Sequence, residues 1–165
     1  MKTVNTTSEN QGKHKGFTLI ELLVVITIIA TLAVVVFVAL NPSARLLAAR
    51  DARRVTDAET ILTAIHASIV DNKGTPPTGL STVEQQLGTA GSACAIATGG
   101  CAVAAVACLD LTTPLAKYLK SIPTDPKNGT GGTTQYSVIQ DSNGIVTVKA
   151  CGTEGTAPSN ISSSR

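Results

Sequence analysis

The stretch from Leu19 to Leu40 holds 22 residues and a single charge, Glu21. As a helix it would rise about 33 Å at 1.5 Å per residue, enough to cross the hydrocarbon core of a bilayer. A chain of 165 residues has too little left over to wrap such a segment on every side, which argues against a buried soluble helix. A secretory signal fits no better. The run is longer than the apolar region of such signals, and no small-x-small cleavage site follows it before Asn41-Pro42. Glu21 is the anomaly, because an ionised acid in lipid costs several kcal/mol and so calls for a function.

The rest of the composition sets limits. The four aromatic side chains are Phe17, Phe37, Tyr118 and Tyr136, so a folded part outside the apolar run has two large rings to build a core with. The formal charge of +2 resides in residues 1–16, which carry Lys2, Glu9, Lys13 and Lys15. The remainder is neutral, and no nucleic-acid surface is supported. Basic residues flank both ends of the run, Lys13 and Lys15 before it and Arg45, Arg50, Arg53 and Arg54 after it, so they do not fix its orientation. The cysteines do better. Cys94, Cys101, Cys108 and Cys151 all follow the run, which suits an oxidising compartment on that side.

Beyond the run, Pro42 predicts a kink or a short melted stretch, since proline lacks the N–H and clashes with the preceding turn. Helical periodicity then resumes. Val55, Ala58, Leu62, Ile65 and Ile69 form one apolar stripe with Ile61 alongside, and Asp51–Arg54 and Arg53–Asp57 can pair on the solvated face. Asn72-Lys73-Gly74 followed by Pro76-Pro77 ends the helix. Ser81-Thr-Val-Glu84 is a capping-box pattern for a short helix to Leu87, and Thr113-Pro114 opens another through Tyr118 to Lys120. Thr89 to Ala107 is Ala-, Gly- and Cys-rich and reads as a loop or weak hairpin turning at Gly99-Gly100. Gln135–Gln140 and Gly144–Cys151 read as two strands around Asp141-Ser-Asn-Gly. The Ser- and Thr-rich tail from Gly152 carries no pattern and reads as flexible.

Gly16-Phe17-Thr18-Leu19-Ile20-Glu21, leading into an intact apolar helix, resembles the N-terminus of type IV prepilins and of the pseudopilins of type II secretion. Tyr118-Leu-Lys-Ser-Ile-Pro-Thr-Asp-Pro126 and the final hairpin resemble the C-terminal part of the same proteins. The resemblance implies the α+β type IV pilin fold, a long N-terminal helix packed on a small antiparallel sheet. It divides the chain into a cleaved leader over 1–16, a transmembrane and filament-core helix over 17–40, an amphipathic continuation over 41–72, an α+β head over 73–151 and a flexible tail over 152–165. It also implies cleavage by prepilin peptidase between Gly16 and Phe17, N-methylation of Phe17, and a role for Glu21 in assembly opposite a neighbour's terminal amine. The subunit would start in the cytoplasmic membrane with its N-terminus in the cytoplasm. An inner-membrane assembly platform would then draw it into a homopolymer, an extracellular or periplasmic filament. A surface pilus and a pseudopilus of type II secretion or DNA uptake both remain open. A rival of another class is a single-span anchored binding module that never polymerises.

The cysteines allow three pairings. Cys94–Cys101 around Gly99-Gly100, with Cys108–Cys151 stapling the head, is the expected one. Their spacings are too wide for a zinc site. Asp125, Asn128 and Asp141 could offer oxygens to calcium, which major pseudopilins hold in a loop of this region, but they form no dense carboxylate cluster, and solvated turn residues are the expectation. No catalytic constellation is present: His66 lies beside an apolar stripe, and no phosphate loop, HExxH or nucleophile elbow occurs.

Overall fold

The structure is a computed structural model that describes residues 16–154 and 160–165. The expected leader, save Gly16, lies outside them. Two compact units meet at the Pro42–Ser43 junction.

The first unit contains α1, Leu19–Leu40, none of whose residues is buried. Thr18 caps it: its hydroxyl accepts from the Glu21 N–H, and the Glu21 carboxylate returns to the Thr18 N–H, a reciprocal capping box. The helix ends at Asn41, which takes a left-handed conformation (φ 40°) that asparagine tolerates better than most residues. Pro42 follows this break, a short non-helical step of the kind expected there. It opens α2, Pro42–Asp71, at the first helical position, where a missing N–H is harmless and the fixed φ already suits the helix.

The second unit packs α2 on a four-stranded antiparallel sheet of order β1-β2-β3-β4: Gln85–Gln86, Tyr136–Gln140, Val146–Ala150 and Ile161–Ser164. The β2–β3 hairpin has the expected register, with Val138 opposite Val148 and Tyr136 opposite Ala150. Asp141 shapes its turn by accepting from the Asn143 and Ile145 N–H groups. Strand alternation puts Tyr136, Val138, Val146, Val148 and Ala150 into one core with Ala58, Ile61, Leu62 and Ile65 of α2. The buried stripe is rotated from the expected one. Val55 is exposed, whereas Asp51, Arg54 and Ser68 are buried. The C-terminus of α2 is closed by the Gly74 N–H on the Ile69 carbonyl, as Asn72-Lys73-Gly74 requires.

Two expected helices are absent. Glu84 does not return to Ser81. Its carboxylate takes the Ser137 hydroxyl and the Lys149 ammonium, which leaves Gln85–Gln86 free to pair with β2. Residues 112–118 form a series of turns, because Asp110 caps the Thr112 N–H and hydroxyl while Leu111 and Leu115 are drawn into the core. Of the tail expected to be flexible, residues 155–159 lie outside the described residues, and its end forms a strand. Ile161–Ser164 adds to β3 as an edge strand and buries Ile161 beside Ala150.

The cystine pattern also differs. Cys94 bonds Cys108, and Cys101 bonds Cys151. The weak hairpin is real, with Ile96 and Val103 exchanging both backbone hydrogen bonds. That pairing sets Cys94 against the returning strand near Val106 and leaves Cys101 in the turn. The turn lies on the end of β3. Thr98 donates to the Cys151 carbonyl, and a side chain at Gly99 (φ 59°) would meet that oxygen at 2.5 Å. Cys101 therefore reaches Cys151 rather than Cys94.

Candidate functional site

The N-terminal site occupies one turn of chain. Gly16 is exposed, and a Cβ built on it would meet nothing within 4 Å. The fold therefore sets no requirement for glycine there. Phe17 follows with 86% of its surface exposed. Thr18 and Glu21 come next, joined at 2.8 Å from the Thr18 N–H and 2.7 Å from its hydroxyl, both to Oε2 of Glu21. The carboxylate is thus turned towards the start of the helix, the end at which a new amine would appear after cleavage at Gly16. Thr27 and Thr31 return their hydroxyls to the Val24 and Ile28 carbonyls, so the polar groups of the apolar helix are satisfied within it.

The head holds a second polar centre that the sequence reading placed on a solvated helix face. Arg54 is fully buried. Its Nε donates to Asp125 Oδ2 at 2.6 Å and its Nη2 to Asp125 Oδ1 at 3.1 Å, a two-pronged contact. Nη1 reaches Asp51 at 2.7 Å, and Nη2 also reaches Glu154 at 3.2 Å. Glu154 in turn pairs with Lys127 at 2.5 Å and with Arg50 at 3.4 Å. Burial works against the Arg54 charge, but the hydrogen bonds to Asp125 and Asp51 outweigh it and raise its pKa. Burial likewise opposes the Asp125 charge. The Arg54 contact and the N–H groups of Lys127 and Asn128 nonetheless hold it below the ordinary carboxylate range. The Lys127 ammonium and, behind it, Arg54 hold Glu154 at about 2. Tyr136 donates to Asp57 at 3.0 Å, and burial with the nearby carboxylate raises its pKa.

A signal for Arg54 existed. It lies four residues before Ala58, in line with Leu62 and Ile65, so it falls on the apolar stripe by its own spacing. Glu154 gave no signal. The i,i+3 pairing with Asp51 was legible, but its burial was not.

The implied calcium does not fit the residues present. The two oxygens of Asp125 take four donors: Arg54 Nε and Nη2, and the N–H groups of Lys127 and Asn128. Oδ1 accepts three of these and Oδ2, facing the guanidinium, one, so the carboxylate is already committed to hydrogen bonds. Asp141 is spent on its own turn, and among the described residues no three His, Cys, Asp or Glu side chains gather closely enough to hold a metal.

His66 lies on α2. Its Nε2 lies 3.0 Å from the Arg165 carbonyl, which it can hold against α2.

With this geometry in place, the comparison with known families gives one result. Residues 12–37 match the prokaryotic N-terminal methylation motif, the signature of type IV prepilins and pseudopilins. The match covers Gly16, Phe17 and Glu21 and most of α1. The apolar helix that the motif enters is long and apolar enough to cross a membrane. No curated protein and no solved structure matches the chain.

Proposed function

We propose that this chain is the structural subunit of a type IV pilus or a related filament. It is cut by prepilin peptidase between Gly16 and Phe17, methylated on the Phe17 amine, and polymerised from the membrane through α1. The observation that carries the reading is the coincidence of the methylation motif with a helix exposed on every side. An uncovered apolar helix needs lipid before assembly and copies of itself afterwards. Glu21 supports the reading because its carboxylate faces the helix start, where it can offset the charge of a neighbour's amine in an otherwise apolar bundle. The exported head carries two cystines, in keeping with a periplasmic or extracellular position. The tightly tied head favours a surface pilus, and Ile122-Pro-Thr-Asp-Pro126 favours a pseudopilus.

Gly16→Val tests the reading at its first step. The open space at Gly16 means that the added side chain disturbs no contact in the fold, so the change acts on recognition in the protease cleft. The expected outcome, by immunoblot and by electron microscopy of sheared cells, is an unprocessed membrane protein and no filaments. Filaments built from uncut Gly16→Val protein would favour another mode of assembly. Wild-type cells with processed protein and no filaments under any expression level would favour the anchored module.

A further inference from the structure

We infer that Arg54 is the built-in cation of the head: its guanidinium holds the Asp125 loop to α2 as a bound divalent ion would, and the head is therefore independent of calcium. Three stretches of chain converge on this one side chain: α2 through Asp51, the 122–134 loop through Asp125, and the segment after β3 through Glu154. A calcium site gathers oxygens from distant segments around a sphere 2.3–2.6 Å in radius. Here the oxygens lie around a planar fork at hydrogen-bonding distances of 2.6–3.2 Å, the spacing suited to guanidinium.

The loop itself is closed by its own bonds. The Asp125 N–H meets the Thr134 carbonyl, the Gly129 N–H meets the Asp125 carbonyl, and the Thr130 N–H meets the Thr133 carbonyl. The returning segment passes directly over the pair, where a Cβ at Gly152 would lie 2.8 Å from Asp125 Oδ2. No room is left on that side for an ion and its waters. A positive guanidinium 2.6 Å from the carboxylate also repels any divalent ion that approaches the same oxygen.

The inference needs the filament reading only for the expectation of calcium. Its test reads unfolding of the head, to which filament formation does not contribute, so either can fail without the other. Full-length protein in detergent is heated in calcium chloride and in EDTA and followed by circular dichroism. The wild type is expected to unfold at the same temperature in both. Arg54→Gln is expected to unfold at a lower temperature in both. Arg54→Lys keeps the charge and gives up the two-pronged contact. It serves where Arg54→Gln does not fold, and its midpoint is also expected below wild type. A wild-type midpoint raised by calcium or lowered by EDTA would overturn the inference. So would an Arg54→Lys midpoint equal to that of wild type in EDTA.

Discussion

The two helices each carry a charge where apolar residues dominate, and they treat it in opposite ways. In α1 the carboxylate of Glu21 accepts from Thr18, one turn back, and no residue of the helix around it is buried. In α2 the guanidinium of Arg54 is sealed and answered by three carboxylates, two of them more than 70 positions away in sequence. Arg54 is satisfied by the head itself, whereas among the described residues α1 around Glu21 has no buried position. On the proposed filament reading, the first charge serves the fold and the second serves assembly with a neighbouring copy.

The sharpest way to break this contrast is to remove each charge in turn. Glu21→Val should abolish or cripple filament formation, read as shear yield, while processed protein persists in the membrane and the head unfolds as in wild type. Arg54→Ala should do the reverse in kind. It removes the cation buried between Asp125 and Asp51 and should cost about 3–5 kcal/mol of head stability, the usual cost of breaking a buried pair, read by denaturant unfolding. A Glu21→Val protein that still makes normal filaments, or an Arg54→Ala head as stable as wild type, would erase the distinction.

The cystines sharpen the comparison from the side of the head. Replacing Cys101 and Cys151 with Ser opens a loop closed over a sequence separation of 50 and should cost about 4 kcal/mol in the chain-entropy account. Replacing Cys94 and Cys108, separated by 14, should cost about 3 kcal/mol. Non-reducing peptide mapping checks the pairing directly, and a Cys94–Cys101 peptide would contradict it.

The smallest effect expected is on acid tolerance. Asp125 and Glu154 both have lowered pKa values in the folded head. Their contribution is complete above the ordinary carboxylate range and is lost as pH falls through the folded values. For Glu154 that window runs from 4.5 down to about 2. The unfolding temperature should therefore fall across this window in wild type, and fall less steeply in Glu154→Gln.

The same contrast explains what could be read in advance. Glu21 stood out because its neighbours are uniformly apolar and because Gly16-Phe17 precedes it, so the helix and the methylation motif were legible locally. The β2–β3 hairpin was legible for the same reason, from alternation around Asp141-Ser-Asn-Gly. Arg54 was misplaced because its i,i+3 partner Asp51 suggested a solvated pair, whereas its burial depends on Asp125 and Glu154 arriving from far along the chain. The cystine pairing failed likewise. Sequence proximity favoured Cys94–Cys101, but the Ile96–Val103 register and the docking of Gly99 on Cys151 decide it. The capping box at Ser81 was overridden once Ser137 and Lys149 claimed Glu84.

The central claim is that this chain is a processed filament subunit, and the mass of that subunit tests it most directly. Intact-mass spectrometry of protein from sheared filaments should give a chain that begins at Phe17 and carries one additional methyl group on its amine. An assembled subunit that retains residues 1–16 would contradict the account.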